Sequence, residues 1–160
     1  MHSLRTFATA WVLSFGTVAF FGDAVGSSSA VFAGETIAWR TDLEAARTES
    51  AESNRPMLLF VTSSHCPYCV KMKNDTFRNP AVIAELNKYF VPMQIERGTQ
   101  AELERKIGVQ LYPTIVIVDD VGVEVRRMKG FISGPAFVQS LKKIEAEWLA
   151  ARPRPGTTVK

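Results

Sequence analysis

The chain has two cysteines, Cys66 and Cys69, and only two residues separate them. They follow the apolar run MLLFVTS, residues 57–63, which has the length and composition of a strand buried on both faces. The residues from Pro67 onward fit the first turns of a helix, because proline is tolerated where the N–H would be unpaired anyway. A Cys-x-x-Cys pair at a strand-to-helix turn limits both the folds and the chemistry open to this chain.

This position suits a redox-active pair. A thiol attacks a disulfide only as the thiolate, and an ordinary cysteine, with a pKa of about 8.5, is mostly protonated at neutral pH. The unpaired N–H groups at a helix N-terminus favour the anion of Cys66. Cys69 lies one helical turn further on and on the same face. One sulfur is thus placed to attack and the other to resolve a mixed disulfide.

Other uses of the pair fit the sequence less well. A bridge between Cys66 and Cys69 closes a very small loop and removes little entropy from the unfolded chain. Structural zinc normally takes four ligands, and beyond residue 33 only His65 could join the cysteines. Covalent haem requires histidine at position 70, which is Val70. The sequence therefore predicts neither a metal site nor a cofactor.

The N-terminal segment has the pattern of a secretory signal peptide. A short basic stretch precedes an apolar run, residues 7–21, and small residues lead to Val31-Phe32-Ala33. The run is shorter than the ~20 residues of a spanning helix, although a retained anchor is the alternative. We expect residues 1–33 to be cleaved and the protein to be exported to the periplasm.

The remaining chain is the size of one domain, residues 34–150, followed by a polar and flexible tail, residues 151–160. The formal net charge is +3, and the charged residues are interspersed. This pattern gives no indication of nucleic-acid binding. Because no further association segment is visible, we expect a monomer.

Patterning predicts alternating helices and strands. Residues 35–39 could add a short leading strand. The predicted elements are a helix from a Thr41–Glu44 capping box to Ser53, strand 57–63, a helix from Pro67 interrupted at Asn79-Pro80, strand 90–96, a helix with a Thr99–Glu102 capping box ending near Gly108, strand 114–119, hairpin strand 123–128 and a closing helix after Ser133. This order predicts a layered α/β domain.

The sequence resembles the thioredoxin superfamily over about residues 35–150. The resemblance rests on Cys-Pro-Tyr-Cys after MLLFVTSSH and on LYPTIVIVD, residues 111–119, and it is greatest with exported thioredoxin-like proteins. It implies a three-layer α/β fold, with a central mixed sheet flanked by helices. It also implies thiol–disulfide oxidoreductase activity.

The resemblance assigns roles to individual residues. Cys66 would be the attacking thiolate, and Cys69 would resolve the mixed disulfide. Pro113 would follow a cis peptide bond, face the pair and shape the substrate groove. Tyr112 would offer backbone groups to an extended substrate.

Three further residues would border this groove. Pro67 and Tyr68 lie between the cysteines, where Tyr68 either gates or shields them. His65 stands where thioredoxins usually have tryptophan. A protonated imidazole there would support the Cys66 thiolate, and the alternative is an exposed loop residue without a role.

Two departures from related families bear on mechanism. Phe60 occupies the position where thioredoxins usually carry a buried aspartate that helps to move a proton from the second cysteine. Water, or a Glu or Lys from elsewhere, would then serve Cys69. Pro-Tyr is the glutaredoxin pair, but KGFISGPAF, residues 129–137, lacks the acidic residue that helps glutaredoxins to bind glutathione.

We therefore expect an exported oxidoreductase that exchanges disulfides with cysteine-containing exported proteins and favours reduction. A membrane or soluble redox partner would restore its dithiol. The main alternative is a binding or chaperone-like module in which the cysteines are incidental. A Cu(I) carrier using both thiolates is a weaker alternative.

Overall fold

The computed structural model describes residues 36–151. The predicted signal peptide and residues 152–160 of the predicted tail lie outside the described residues. Within residues 36–151, the helices are all too short or too polar to cross a membrane.

Four strands and five α-helices make up the described part. Strand β1 pairs with β2 in parallel and with β3 antiparallel, and β4 pairs antiparallel with β3. The sheet order is thus β2-β1-β3-β4. The elements are α1 Leu43–Ser53, β1 Met57–Thr62, α2 Pro67–Lys71, α3 Pro80–Tyr89, β2 Val91–Glu96, α4 Ala101–Ile107, β3 Thr114–Val118, β4 Glu124–Lys129 and α5 Gly134–Ala151.

Each face of the mixed sheet carries its own hydrophobic core. Side chains alternate along a strand, so β1 sends Phe60 to one face and Leu59 to the other. Helices α3 and α5 cover the Phe60 face, whereas α1 and α4 cover the Leu59 face. Both β1 and β3 are buried along their whole length. The predicted three-layer α/β fold is confirmed.

Helix boundaries differ from the prediction at two N-termini. Asp42, not Thr41, caps α1, because its carboxylate accepts a 2.7 Å hydrogen bond from the Ala45 amide. The second predicted capping box is absent, because the Thr99 hydroxyl donates to the Glu96 carbonyl instead. Helix α4 starts at Ala101 without a side-chain cap.

Three other boundaries also differ. The leading strand predicted over residues 35–39 is absent from residues 36–39, and an isolated bridge joins the next residue, Arg40, to Met93. The helix after the cysteines changes to a π-helical turn, Met72–Thr76, before Asn79 caps α3. Helix α5 includes Ala151, the first residue assigned to the tail.

Candidate active site

Cys66 and Cys69 form a disulfide across the first turn of α2, and their Cα atoms are 5.2 Å apart. Cys66 is the N-cap residue and has extended backbone dihedrals, as the residue before a helix should. Its Sγ accepts a 3.1 Å hydrogen bond from the Cys69 amide. Pro67 occupies the first helical position, as the sequence predicts. The local geometry thus aims a backbone N–H at the first sulfur.

The two cysteines differ in solvent access. Cys69 is only 1% exposed, whereas Cys66 is half-buried. Cys66 is therefore the sulfur that a second protein can reach. Cys69 can reach only a sulfur already attached to Cys66 or lying beside it.

Pro113 immediately precedes β3 and lies at the end of that strand next to the cysteine pair. Strand β3 runs antiparallel to β1, and Thr114 pairs with Val61, so residues just before β3 lie beside the residues that follow β1. The Tyr112–Pro113 peptide bond is cis. The carbonyl of Pro113 accepts a 2.8 Å hydrogen bond from the Gly130 amide, which fixes it to the end of β4.

The segment before Pro113 is held by side chains. The Thr114 hydroxyl donates a 2.6 Å hydrogen bond to the Leu111 carbonyl. The Tyr112 hydroxyl donates to Glu104 at 3.3 Å, and the Arg97 guanidinium lies 5.6 Å from the ring centre. Burial, and then the Glu104 carboxylate, raise the pKa of Tyr112, so its hydroxyl stays neutral and a donor. Within residues 36–151, the Tyr112 backbone forms no hydrogen bond.

The remaining predicted groove residues are on the surface. Tyr68 lies within the turn that Cys66 caps and is 63% exposed, so it is not buried together with the cysteines. Pro67 is also exposed. His65 is exposed, and its Nδ1 lies 3.1 Å from the Ser64 hydroxyl.

Sequence reasoning missed two polar residues, Thr62 and Lys73, on the sheet face that carries Phe60. Thr62 and Phe60 are two positions apart on β1 and so share the face against which Met72 of the π-helical turn packs. The Thr62 hydroxyl is buried and has no hydrogen-bond partner within the described residues. Lys73, on the π-helical turn, places Nζ 5.8 Å from the centre of the Phe60 ring. In the sequence, this arrangement was indicated only by Phe60, which occupies the position where thioredoxins usually carry an aspartate.

In the part of the chain that the structure describes, no group of three or more metal-ligating side chains occurs.

Comparison with known proteins places this geometry in a family. The family model described as a thioredoxin-like domain matches residues 43–145, more than half of the chain. This chain belongs to the thioredoxin-like family. The family match covers the cysteine pair, Pro113 and most of the described residues. A search of curated protein sequences finds no significant match.

Solved structures of thioredoxin-like proteins share the fold. A thioredoxin from Thermus thermophilus is 25% identical with a TM-score of 0.65, and the match covers 78% of this chain and 99% of that one. A protein described as DsbH oxidoreductase is 21% identical with a TM-score of 0.66, covering 72% and 89% of the two chains. The C-terminal domain of Neisseria meningitidis DsbD, in the oxidised form, is 21% identical with a TM-score of 0.55, covering 66% and 98%.

Proposed function

We propose that this protein is an exported thiol–disulfide oxidoreductase that reduces disulfides in exported proteins. One observation carries the proposal: Cys66 is half-buried and its sulfur accepts a hydrogen bond from a helix N–H, while Cys69 is 1% exposed one turn further on. This asymmetry suits an attacking thiolate and a resolving thiol. The apolar run at residues 7–21 and the small-residue site ending at Ala33 support export to the periplasm.

The reaction proceeds by two exchanges. The Cys66 thiolate attacks one sulfur of a substrate disulfide, and the second substrate sulfur leaves and takes up a proton. Cys69 then loses its proton and attacks the Cys66 sulfur. The Cys66–Cys69 bond forms, and the first substrate sulfur leaves as a thiolate that takes up a proton.

The surface beside the pair supports an unfolded or extended protein as the substrate. Three large apolar side chains close to the pair or to Pro113 in the sequence are exposed: Tyr68, Val70 and Leu111. The unbonded Tyr112 backbone offers an N–H and a carbonyl to an extended chain, which is strand addition. The side chains would contribute apolar contact, and the backbone would fix the substrate direction.

Two points support the reducing direction: position 60 holds no carboxylate to accept the Cys69 proton, and the protein would need a partner to restore its dithiol. Phe60 replaces the carboxylate that would carry a proton from Cys69, and each turnover leaves a disulfide that another protein must reduce. We propose that a membrane or soluble redox partner performs this reduction. Equilibrium with glutathione buffers, followed by thiol alkylation, is the direct test. A potential near about −270 mV would support a reductant, and one near about −120 mV would make the protein an oxidant.

Turnover is tested with insulin as the disulfide substrate. The wild type should reduce it, the Cys66→Ser variant should be inactive, and the Cys69→Ser variant should accumulate mixed disulfides with its partners. Insulin reduction by Cys66→Ser at the wild-type rate would refute the proposal.

The exposed Tyr68, Val70 and Leu111 also favour a second candidate, a binding module for unfolded chains. It predicts partner binding that survives in the Cys66→Ser/Cys69→Ser double variant. Partners trapped only through a sulfur in Cys69→Ser would exclude it.

A further inference from the structure

Lys73 is a half-buried lysine on the π-helical turn. Within residues 36–151 it takes part in no salt bridge, and its Nζ lies 5.8 Å from the centre of the fully buried Phe60 ring. Lys71, two residues earlier, instead pairs with Asp75 at 2.5 Å and is exposed. The two lysines lie on one continuous helical segment, but only Lys73 points its charge towards the sheet.

The helix places Lys73 next to Cys69. The helical turns run without a break from Pro67 to Thr76, and the two residues are four positions apart. Side chains four apart on a helix are neighbours, with Cβ atoms about 5–6 Å apart. The Lys73 side chain therefore begins about one helical turn from Cys69, and its ammonium lies over the Phe60 ring.

Among residues 36–151, no buried carboxylate occupies the place of Lys73 near Cys69. Among the described residues, Glu85 is the one buried carboxylate, and it lies on α3 opposite Glu145 of α5. On the sheet face that carries Phe60, β1 also contributes the hydroxyl of Thr62, which has no hydrogen-bond partner within residues 36–151. Lys73 thus brings a positive charge to Phe60, the strand position at which thioredoxins usually carry a buried aspartate.

We propose that Lys73 is a positioning residue that stabilises the Cys69 thiolate. The inference rests on the proposed function and identifies the group that replaces the missing carboxylate. In the mixed disulfide, Cys69 gives its proton to solvent, and the positive charge of Lys73 favours the resulting anion. The Cys69 sulfur then attacks Cys66, the Cys66–substrate bond breaks, and the departing substrate sulfur takes up a proton.

A fixed cation also affects the redox equilibrium. It stabilises the reduced pair whenever one sulfur is anionic, and it has no comparable effect on the neutral disulfide. Removing the charge should therefore favour the disulfide. This consequence distinguishes an electrostatic role from simple packing of the lysine stem.

The test compares Lys73→Met with Lys73→Arg and with Lys71→Met as the matched control. Lys71 also lies over an aromatic ring, that of Phe131 at 5.0 Å, so its removal controls for loss of a cation–ring contact. Thiolate absorbance against pH, measured in a Cys66→Ser background, follows Cys69 alone. Equilibrium with glutathione, measured with both cysteines present, gives the redox effect. Thermal unfolding verifies that each variant is folded.

For Lys73→Met we expect about tenfold less Cys69 thiolate at neutral pH and a several-fold shift of the glutathione equilibrium towards the disulfide. Lys73→Arg and Lys71→Met should remain close to the parent protein. If Lys73→Met matches Lys71→Met in both measurements, the inference is wrong. Neither measurement needs a substrate, so a failure to reduce insulin would count against the proposed function alone.

Discussion

The Cys69 amide donates a 3.1 Å hydrogen bond to the Cys66 sulfur, yet the two sulfurs lie in different surroundings. Cys69 is 1% exposed and Cys66 is half-buried. A backbone donor favours a thiolate over a thiol at Cys66, and burial disfavours one at Cys69. The same short turn thereby gives the two cysteines different reactivities.

This difference predicts selective alkylation. In the reduced, folded protein, iodoacetamide should label Cys66 at least about tenfold faster than Cys69, because Cys66 is the more exposed residue and the one at which a backbone N–H favours the thiolate. Peptide mass mapping at short times measures the ratio. In guanidinium-unfolded protein the two rates should become similar. Equal labelling of both cysteines in the folded state would contradict the assigned roles.

The buried hydroxyl of Thr62 predicts a stabilising substitution. It lacks a hydrogen-bond partner within the described residues, so Thr62→Val should remove a desolvated polar atom and raise the free energy of unfolding of the oxidised protein by about 1 kcal/mol. Thr114→Val is the matched control, because the Thr114 hydroxyl is bonded to the Leu111 carbonyl at 2.6 Å. That variant should lose about 1 kcal/mol. Denaturant unfolding compares them, and equal losses in both would show that Thr62 has a partner.

The features that the sequence predicted correctly are those with a local cause. Strands β1 and β3 are buried on both faces and therefore form continuous apolar runs in the sequence. The position of Cys66 as an N-cap follows from the strand before it and from Pro67 after it. The layered fold follows from the order of such elements.

The features that the sequence did not predict depend on contacts between distant residues or on competition between neighbours. Thr41 and Asp42 are both good caps, and only the backbone geometry determines that Asp42 is used. The ammonium of Lys73 over the Phe60 ring depends on how the π-helical turn packs against β1. Helical periodicity alone does not predict that turn.

Arg55 shows such distant contacts and predicts a loss of stability. It follows the turn after α1, yet its guanidinium donates to the Asn87 carbonyl at 2.8 Å, to the Phe90 carbonyl at 3.1 Å and to Glu49 at 2.7 Å. It thereby joins α1 to the C-terminal end of α3. Arg55→Met keeps an apolar stem but removes these donors, and it should lower the free energy of unfolding by about 2 kcal/mol.

Arg47→Met is the control for this prediction. Arg47 is exposed and lies 3.8 Å from Glu44, a surface ion pair that should contribute less than about 0.5 kcal/mol. Denaturant unfolding of both variants under the same conditions measures the difference. If Arg55→Met costs no more than Arg47→Met, the guanidinium does not stabilise the junction of α1 and α3.

Glu85 predicts a pH dependence of stability. It is 8% exposed, one of its oxygens has no hydrogen-bond partner within residues 36–151, and Lys88 is on the same helix, while Glu145 and Lys142 face it from α5. Burial, and then Glu145, raise the pKa of Glu85 above its ordinary value of 4.5, although both lysines oppose the shift. The folded state therefore binds a proton more tightly than the unfolded state. The stabilisation that comes from protonating Glu85 is complete below pH 4.5 and is lost as the pH rises through the raised pKa.

Glu85→Gln replaces the acid by a permanently neutral group that can donate to Glu145 as the protonated acid does. At pH 7 we expect the variant to be about 1 kcal/mol more stable than the wild type, and at pH 4 we expect the two to be equal. Thermal or denaturant unfolding at a series of pH values measures this difference. Glu52→Gln is the control, because Glu52 is exposed on α1 and should show no such trend. A difference between Glu85→Gln and wild type that stays constant from pH 4 to pH 7 would mean that the pKa of Glu85 is the same in the folded and unfolded states.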